Sequence, residues 1–208
     1  MNAMILAWKR LIERVLLGAA FKRLYGVVGG HIFFQTANAA VRLDLFTALA
    51  RSPGLTRAEI AARLGIQEKP ARILLLGCAS LGLLKKKGDG YYVTRLSREL
   101  LSRDSPRNIA AIMAWQDQIN YLPMASLYNA IRDNSNVGLK HFQGDEGTLY
   151  ERLVHHPELQ KIFQDAMHAI SVQANHLLIE HIDFSRYRHV VDIGGGDGTN
   201  AMALARKY

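Results

Sequence analysis

Apolar residues recur every three or four positions along the N-terminal part of the chain, a spacing that gathers them on one face of an α-helix. The pattern predicts helices over Met4–Leu24 and Ile32–Leu49, separated by Gly29 and Gly30. Charged residues interrupt the first helix every few positions, which excludes a secretory signal. A helix lying on a membrane surface explains its apolar face less well than a helix that forms a dimer.

Local signals predict the next two helices. The segment Thr56-Arg57-Ala58-Glu59 is a capping box and predicts a short helix that ends at Gly65. Pro70 suits the first turn of a third helix, which ends at Gly82. Apolar side chains surround nearly the whole third helix, so we expect it to be buried on all sides, as in a dimer interface.

Two short segments, Leu83–Lys86 and Tyr91–Thr94, flank a Gly88-Asp89-Gly90 turn and predict a β-hairpin. The order of three helices followed by a hairpin is typical of a winged helix.

The second half of the chain is predicted to be helical until near its end. The segment Asp104-Ser105-Pro106 opens a helical region that breaks near Pro123, and a capping box at Thr148–Glu151 starts a short helix. Pro157 starts another helix, with apolar residues at helical spacing down one face: Leu159, Ile162, Phe163, Ala166, Met167, Ile170, Ala174, Leu177 and Leu178.

A buried strand is predicted over His189–Ile193, before a glycine cluster and a helix that starts at Thr199. One strand cannot form a parallel sheet, because both of its edges stay open, and each further strand–helix–strand unit needs about 30 residues. We therefore expect the chain to be the first part of a longer α/β protein.

The glycine cluster, Asp192-Ile193-Gly194-Gly195-Gly196-Asp197-Gly198-Thr199, is the strongest signal for chemistry. Glycines between a strand and a helix let the backbone approach a ligand, which the free N–H groups of the helix start can bind. The spacing departs from the dinucleotide fingerprint G-x-G-x-x-G, and the sequence lacks the Gly-Lys-Ser/Thr of a P-loop. A tight turn without a ligand is the less favoured interpretation.

With this motif the sequence resembles S-adenosylmethionine-dependent methyltransferases, and in particular the dimeric small-molecule O-methyltransferases of the bacterial natural-product and plant caffeate types. The segments that carry the resemblance follow the order of the family: Ala40–Phe46, Leu55–Ala61, Leu81–Leu84, Tyr91–Thr94, His156–Met167 and Val190–Gly198. The resemblance implies a mostly α-helical winged-helix dimerisation domain over residues 1–103 and a helical linker over 104–182 that lines an acceptor pocket. Residues 183–208 would begin a Rossmann-like α/β methyltransferase domain.

The resemblance further implies O-methylation of an aromatic or polyketide-like small molecule in secondary metabolism, with S-adenosylmethionine as donor and a homodimer as the assembly. It leaves N- and C-methylation open. In the family, the catalytic histidine and the ribose and adenine contacts lie beyond the first glycine motif. We therefore expect the catalytic residues after residue 208, and we expect the 208-residue chain by itself to be inactive.

Family resemblance also suggests which residues form the site. It places Gly194 and Gly196 against the methionine part of the donor, with Asp192 positioning it and Ser171 reaching it from the preceding helix.

Phe163 and Met167 lie one helical turn apart and, in the family, this pair sandwiches an aromatic acceptor. Trp115 is a weaker candidate for the same pocket. The alternative for all three side chains is ordinary core packing.

The positive charge of the chain raises a second hypothesis, the binding of nucleic acid. The formal net charge is +8, and Lys85-Lys86-Lys87 in the hairpin could contact phosphates, as in a winged-helix transcriptional regulator. A recognition helix needs polar side chains for the major groove, and the apolar third helix does not supply them. We expect no sequence-specific binding of nucleic acid. A non-catalytic dimerisation fragment is the remaining alternative.

Cysteine and histidine add little chemistry. The single cysteine, Cys78, lies in an apolar helix, which favours a reducing, cytoplasmic location and gives no support for a nucleophile. The histidines lack the spacing of a metal site, and we expect them to be solvated or to cap helices.

Overall fold

The computed structural model describes residues 3–208, and within residues 3–7 and 9–16 it describes the backbone only. The chain is mostly helical, with a two-stranded hairpin near its middle. Its first two helices are α1 (Ala3–Val28) and α2 (Gly30–Arg42). They fall where the sequence predicts helices, while the predicted apolar face of residues 4–7 and 9–16 lies outside the described side chains.

The helix predicted over Ile32–Leu49 is in fact two helices, so this prediction is wrong. The chain leaves α2 at Leu43 and begins α3 (Leu45–Arg51) after Asp44, whose φ of 60° is left-handed. Directly after this bend, Leu45 and Phe46 lie in the core with no exposed surface.

The next elements confirm the local signals. Helix α4 (Arg57–Leu64) has a complete capping box, in which the side chains of Thr56 and Glu59 each bond the other residue's backbone N–H. Helix α5 (Glu68–Ser80) follows. Strands β1 (Leu84–Lys87) and β2 (Gly90–Val93) form the predicted antiparallel hairpin, with Leu84 opposite Val93.

A short helix that the sequence analysis missed, α6 (Arg95–Leu101), follows the hairpin. The side chain of Thr94 caps it by accepting from the backbone N–H of Ser97. The hydroxyl of Ser97 donates to the carbonyl of Leu83 at 2.6 Å, which fixes α6 to the base of the hairpin.

The elements from α2 to α6, with the hairpin, form what we call the N-terminal unit. Its main hydrophobic core lies between α2, α3, α5 and the hairpin. Its fully buried side chains are Ala40, Leu45, Phe46, Leu49, Leu75 and Cys78. Helix α5 contributes only one face to it, because Ile73 and Leu76 are 61% and 68% exposed. Within this single chain α5 is buried on one face, and the burial of its other face in a dimer interface stays a prediction.

The second half starts with α7 (Ala110–Trp115), so the helical region begins later than the predicted Asp104–Pro106. A π-helical turn, Gln116–Asn120, and α8 (Tyr121–Met124) continue it. The chain then turns at Ala125 and Ser126, which confirms a break near Pro123. Helix α9 (Leu127–Arg132) and a 3₁₀ turn, Val137–His141, come next.

Asp117, on the π-helical turn, joins the two halves of the molecule. Its carboxylate accepts from the Gln35 amide at 2.8 Å and from the Arg42 guanidinium at 3.1 Å, both on α2. The Asp117 side chain is 12% exposed, so these partners offset the cost of removing its charge from water. The Tyr121 ring stacks on Phe34 beside this contact, at 5.9 Å between centroids.

The last helices are α10 (Leu149–Leu153), α11 (Pro157–His181) and α12 (Thr199–Lys207). The second capping box, Thr148 with Glu151, is present as predicted. The predicted strand His189–Ile193 does not form, and Val191 and Ile193 are 81% and 93% exposed. In the part of the chain that the structure describes, β1 and β2 are the only sheet, so this segment has no strand to pair with.

Candidate functional site

The glycine cluster forms an open loop between α11 and α12. Gly194, Gly196 and Gly198 have φ values of 75°, 58° and 78°, a left-handed backbone that favours glycine. A Cβ atom added to Gly194 or Gly196 would meet nothing within 4 Å. Both glycines therefore present backbone to open space, where a ligand can approach.

Gly195 has a different role, because it makes room for a carboxylate. A Cβ atom at Gly195 would lie 2.6 Å from Oδ2 of Asp192. The carboxylate of Asp192 thus lies over the loop beside Gly195. Because Asp192 is exposed, this carboxylate remains available to a ligand. The structure thus brings together three of the predicted cofactor residues, Asp192, Gly194 and Gly196.

A hydrogen-bond network connects the loop to the two helices beside it. Oδ1 of Asp197 accepts from the backbone N–H of Thr199, the first residue of α12, at 3.0 Å and from its hydroxyl at 2.6 Å. Oδ2 of Asp197 lies 2.6 Å from Nδ1 of His168, on α11. The Thr199 bonds, followed by His168, lower the pKa of Asp197 to about 2.

His168 is exposed, as the sequence analysis expects of the histidines, but sequence reasoning missed that it is a partner of Asp197. Their positions are 29 residues apart, so no local spacing connects them. The one available signal was an acidic residue inside the glycine cluster and a histidine directly after Met167.

The predicted acceptor residues lie around a small aromatic cluster. The Phe163 ring stands edge-on to Trp115 at 6.3 Å and to Tyr150 at 4.9 Å between centroids. Phe163 also packs against a second buried cluster, formed by Ile119, Phe142 and Leu153. Tyr150 is a member of this aromatic group that sequence reasoning did not single out.

Trp115 occupies an unusual position in this cluster. It ends α7, directly before the π-helical turn. Its indole Nε1 is buried and, among the described residues, has no hydrogen-bond partner. A buried donor without a partner costs free energy, so an acceptor atom that reached this N–H would be bound favourably.

Met167 and Ser171 continue along α11 from Phe163, each one turn further on. Both side chains are half-buried. Ala166, directly before Met167, is fully buried against the neighbouring helices. The three predicted residues Phe163, Met167 and Ser171 therefore share one side of α11, and His168 on the same helix contacts the glycine loop.

An apolar groove of about 590 Å³ lies in the N-terminal unit, away from these residues. Helices α2 and α5 form its walls, with Ile32 (58% exposed) on one and Ile73 on the other. Cys78 lies in the core behind this groove, where burial raises the pKa of its thiol to about 12. At that pKa the thiol stays protonated and is not a nucleophile.

Two family descriptions match separate parts of the chain. The O-methyltransferase dimerisation domain matches residues 25–103, and the O-methyltransferase domain matches residues 124–208. The chain belongs to the O-methyltransferase family. Its N-terminal unit is the dimerisation domain of this family, and the second match contains α11, the glycine loop and α12.

The curated relatives of the chain include both C- and O-methyltransferases. The chain is 34% identical to an L-tyrosine C(3)-methyltransferase from Streptomyces lavendulae, over 86% of this chain and 49% of that protein. Other curated relatives at 27–32% identity are named as O-methyltransferases.

Solved structures of this family have the same fold. The S-adenosylmethionine-dependent methyltransferase SibL, in its apo form, has a TM-score of 0.76 at 37% identity, over 88% of this chain and 54% of its own. Human N-acetylserotonin methyltransferase in complex with SAM has a TM-score of 0.81 at 25% identity, over 91% and 56%. The chain spans about half the length of these relatives.

None of the helices in the described part of the chain combines the length and the apolar character needed to span a membrane.

Proposed function

We propose that this chain supplies the dimerisation domain, the acceptor-lining helices and the first cofactor loop of an S-adenosylmethionine-dependent methyltransferase that acts on an aromatic small molecule. The observation that carries the proposal is the glycine loop of Asp192–Gly198, which presents open backbone directly beside α11 in a chain of the O-methyltransferase family. Two similar proteins, the S-adenosylmethionine-dependent SibL and human N-acetylserotonin methyltransferase in complex with SAM, support the choice of donor.

The residues present suit the methionine end of this donor. The loop backbone at Gly194 and Gly196 is accessible, and the carboxylate of Asp192 can accept from an ammonium group. Ser171 lies on the same side of α11 as Phe163 and Met167 and offers a hydroxyl. When bound, S-adenosylmethionine supplies an activated methyl group that is transferred by in-line displacement. The chain's own residues then serve to align donor and acceptor.

The aromatic cluster suits a flat acceptor. Phe163 and Trp115 already adopt the edge-on geometry that aromatic rings prefer, and Met167 adds a flexible, polarisable side chain one turn along α11. The unpartnered N–H of Trp115 would donate to a hydroxyl or carboxylate oxygen of the acceptor. These contacts favour an aromatic ring that carries an oxygen substituent.

A second candidate, C-methylation of a phenol ring, is favoured by one observation. The relative that is 34% identical to this chain is named for methylation at C(3) of L-tyrosine. Both reactions place an oxygen-bearing aromatic ring between the same side chains. They differ in whether the oxygen or the neighbouring ring carbon attacks the methyl group, and in which proton is lost.

The apolar groove of the N-terminal unit supports a homodimer in which a second copy covers the groove between α2 and α5.

We propose domain limits of 1–103 for a winged-helix dimerisation domain, 104–182 for the acceptor-lining linker and 183–208 for the start of a Rossmann-like domain. The single buried Cys78 supports a cytoplasmic location. The exposed Ile73 and Leu76 interrupt the polar surface of α5, which argues against specific DNA recognition.

The proposal can be tested by joining residues 1–208 to the C-terminal half of the S. lavendulae tyrosine methyltransferase. The fusion protein, given S-adenosylmethionine with a labelled methyl group, should methylate one or more phenolic acceptors from a panel that includes L-tyrosine. Mass spectrometry of the product separates O- from C-methylation. The same fusion carrying Met167→Ala should lose acceptor use at least about tenfold.

Stability distinguishes a pocket from a core at Met167. If Met167→Ala lowers the free energy of unfolding by about 2–5 kcal/mol and leaves acceptor kinetics unchanged, the side chain serves packing. A folded, dimeric fusion protein that binds the donor and methylates no phenol would contradict the proposed function.

A further inference from the structure

His168 is not one of the residues that the family resemblance implicates in the site, although its hydrogen bonds are among the shortest near the glycine loop. Nδ1 of His168 lies 2.6 Å from Oδ2 of Asp197 and 2.9 Å from the Thr199 hydroxyl. Because an ionised carboxylate only accepts hydrogen bonds, Nδ1 carries the proton and donates it to Asp197. The contact joins the middle of α11 to the last part of the glycine loop.

Both oxygens of Asp197 have partners, and this makes the carboxylate a rigid link. Oδ1 is held by the backbone N–H and the hydroxyl of Thr199, so its position is set by the first turn of α12. Oδ2 is held by His168. The carboxylate therefore cannot turn away toward solvent without breaking its bonds to Thr199.

Helical geometry shows what the link connects. With about 100° between successive residues, Met167, Ser171 and His168 lie about 40°, 80° and 140° around α11 from Phe163. The side chains thus run in order from the aromatic cluster to the glycine loop. His168 is the last in this order and the one that bonds the loop.

We propose that His168 is a positioning residue, which holds the glycine loop of residues 194–198 at a fixed distance from the acceptor-lining side of α11 by donating to Asp197. This inference rests on the proposed function for its catalytic meaning. The contact itself belongs to the chain without any ligand, and so it can be tested separately.

The pair is half exposed, at 53% for each side chain, so a small contribution to global stability is expected. The informative measurement is therefore local. We would measure hydrogen exchange of residues 192–199 in the full 208-residue chain, where the Gly198 and Thr199 amides bond to Gly195 and Asp197.

His168→Ala should speed exchange in this loop about fivefold, the factor that corresponds to the loss of one ordinary hydrogen bond. His168→Asn should restore slow exchange, because its Nδ2 amide places a donor near the position of Nδ1. His168→Gln moves the donor one bond further out and should restore it less. His176→Ala, an exposed histidine on the same helix, is the matched control and should leave the loop unchanged.

A kinetic measurement shows whether the position matters for the reaction. In the fusion protein, His168→Ala should raise KM for the donor about fivefold with little change in KM for the acceptor, and His168→Asn should reverse this. Loop exchange that is the same in wild type and His168→Ala, or an equal effect of Asn, Gln and Ala, would overturn the inference. A fusion protein without methyl transfer would instead contradict the proposed function and leave the exchange result standing.

Discussion

The N-terminal unit and the segment between α11 and α12 differ in how far their apolar side chains are buried. In the N-terminal unit, α2, α3, α5 and the hairpin enclose one another, and Phe46, Leu49 and Leu75 have no exposed surface. In the segment after α11, Val191 and Ile193 are almost fully exposed, although their sequence is as apolar as that of a core strand. An apolar run becomes core only where the chain brings a second apolar layer to it.

The exposed segment nevertheless has a definite shape. The left-handed backbone at Gly194, Gly196 and Gly198 and the bonds between Asp197 and Thr199 involve only near neighbours, so they form without a core. The two regions therefore owe their shapes to different interactions. Packing builds the dimerisation domain, while backbone geometry and a few hydrogen bonds build the candidate cofactor loop.

The largest expected effect contrasts two apolar side chains, one from each region. Phe46→Ala should lower the free energy of unfolding by about 3–5 kcal/mol, because it removes a fully buried ring and leaves a cavity. Ile193→Ala should change it by less than about 0.5 kcal/mol, since the side chain is 93% exposed. Urea unfolding followed by circular dichroism measures both, and equal losses would contradict the contrast between the two regions.

A close backbone approach gives the next effect. A Cβ atom at Gly90, at the start of β2, would lie 2.7 Å from the carbonyl oxygen of Gly54, and neither backbone segment can move away freely. Gly90→Ala should therefore cost about 1–3 kcal/mol of stability, by thermal or urea unfolding. Gly30→Ala, at a site with nothing within 4 Å, is the control and should be neutral or stabilising.

The uncovered apolar groove of the N-terminal unit can be tested through association. Ile73→Asp should weaken dimerisation at least about tenfold in sedimentation equilibrium, because a charge would be buried in the proposed interface. Leu96→Asp changes a similarly exposed side chain on α6, outside the groove, and should leave association unchanged. A wild-type chain that stays monomeric at micromolar concentration would refute the groove as a dimer surface.

The smallest effect concerns the loop alone and depends on pH. The pKa of Asp197 is depressed to about 2 in the folded chain, below its ordinary value near 3.9. Its contacts therefore stabilise the fold fully above about pH 4, and this contribution is lost as pH falls through about 2. Carboxyl NMR should show this low pKa in the wild type and a higher one in His168→Ala. An unchanged pKa would show that His168 does not affect the carboxylate.

Local signals in the sequence predicted the elements that depend on near neighbours. The capping boxes at Thr56 and Thr148, the hairpin around Gly88–Gly90 and the helix from Thr199 all form where expected. Each is stabilised by groups a few residues apart, so the order of residue types is sufficient. The family segments were recognisable for the same reason, because they are short and follow one another in order.

Local sequence signals were sufficient to predict most of the helices, the hairpin, the glycine turn and the resemblance to the O-methyltransferase family. They did not show that the chain bends at Asp44, that one face of α5 stays exposed or that His189–Ile193 remains unpaired, because these features depend on tertiary contacts. Nor did they show that His168 meets Asp197 across 29 residues. These features depend on which surfaces meet after the chain has folded, and a pattern of residue types along the chain carries no distance between its remote positions.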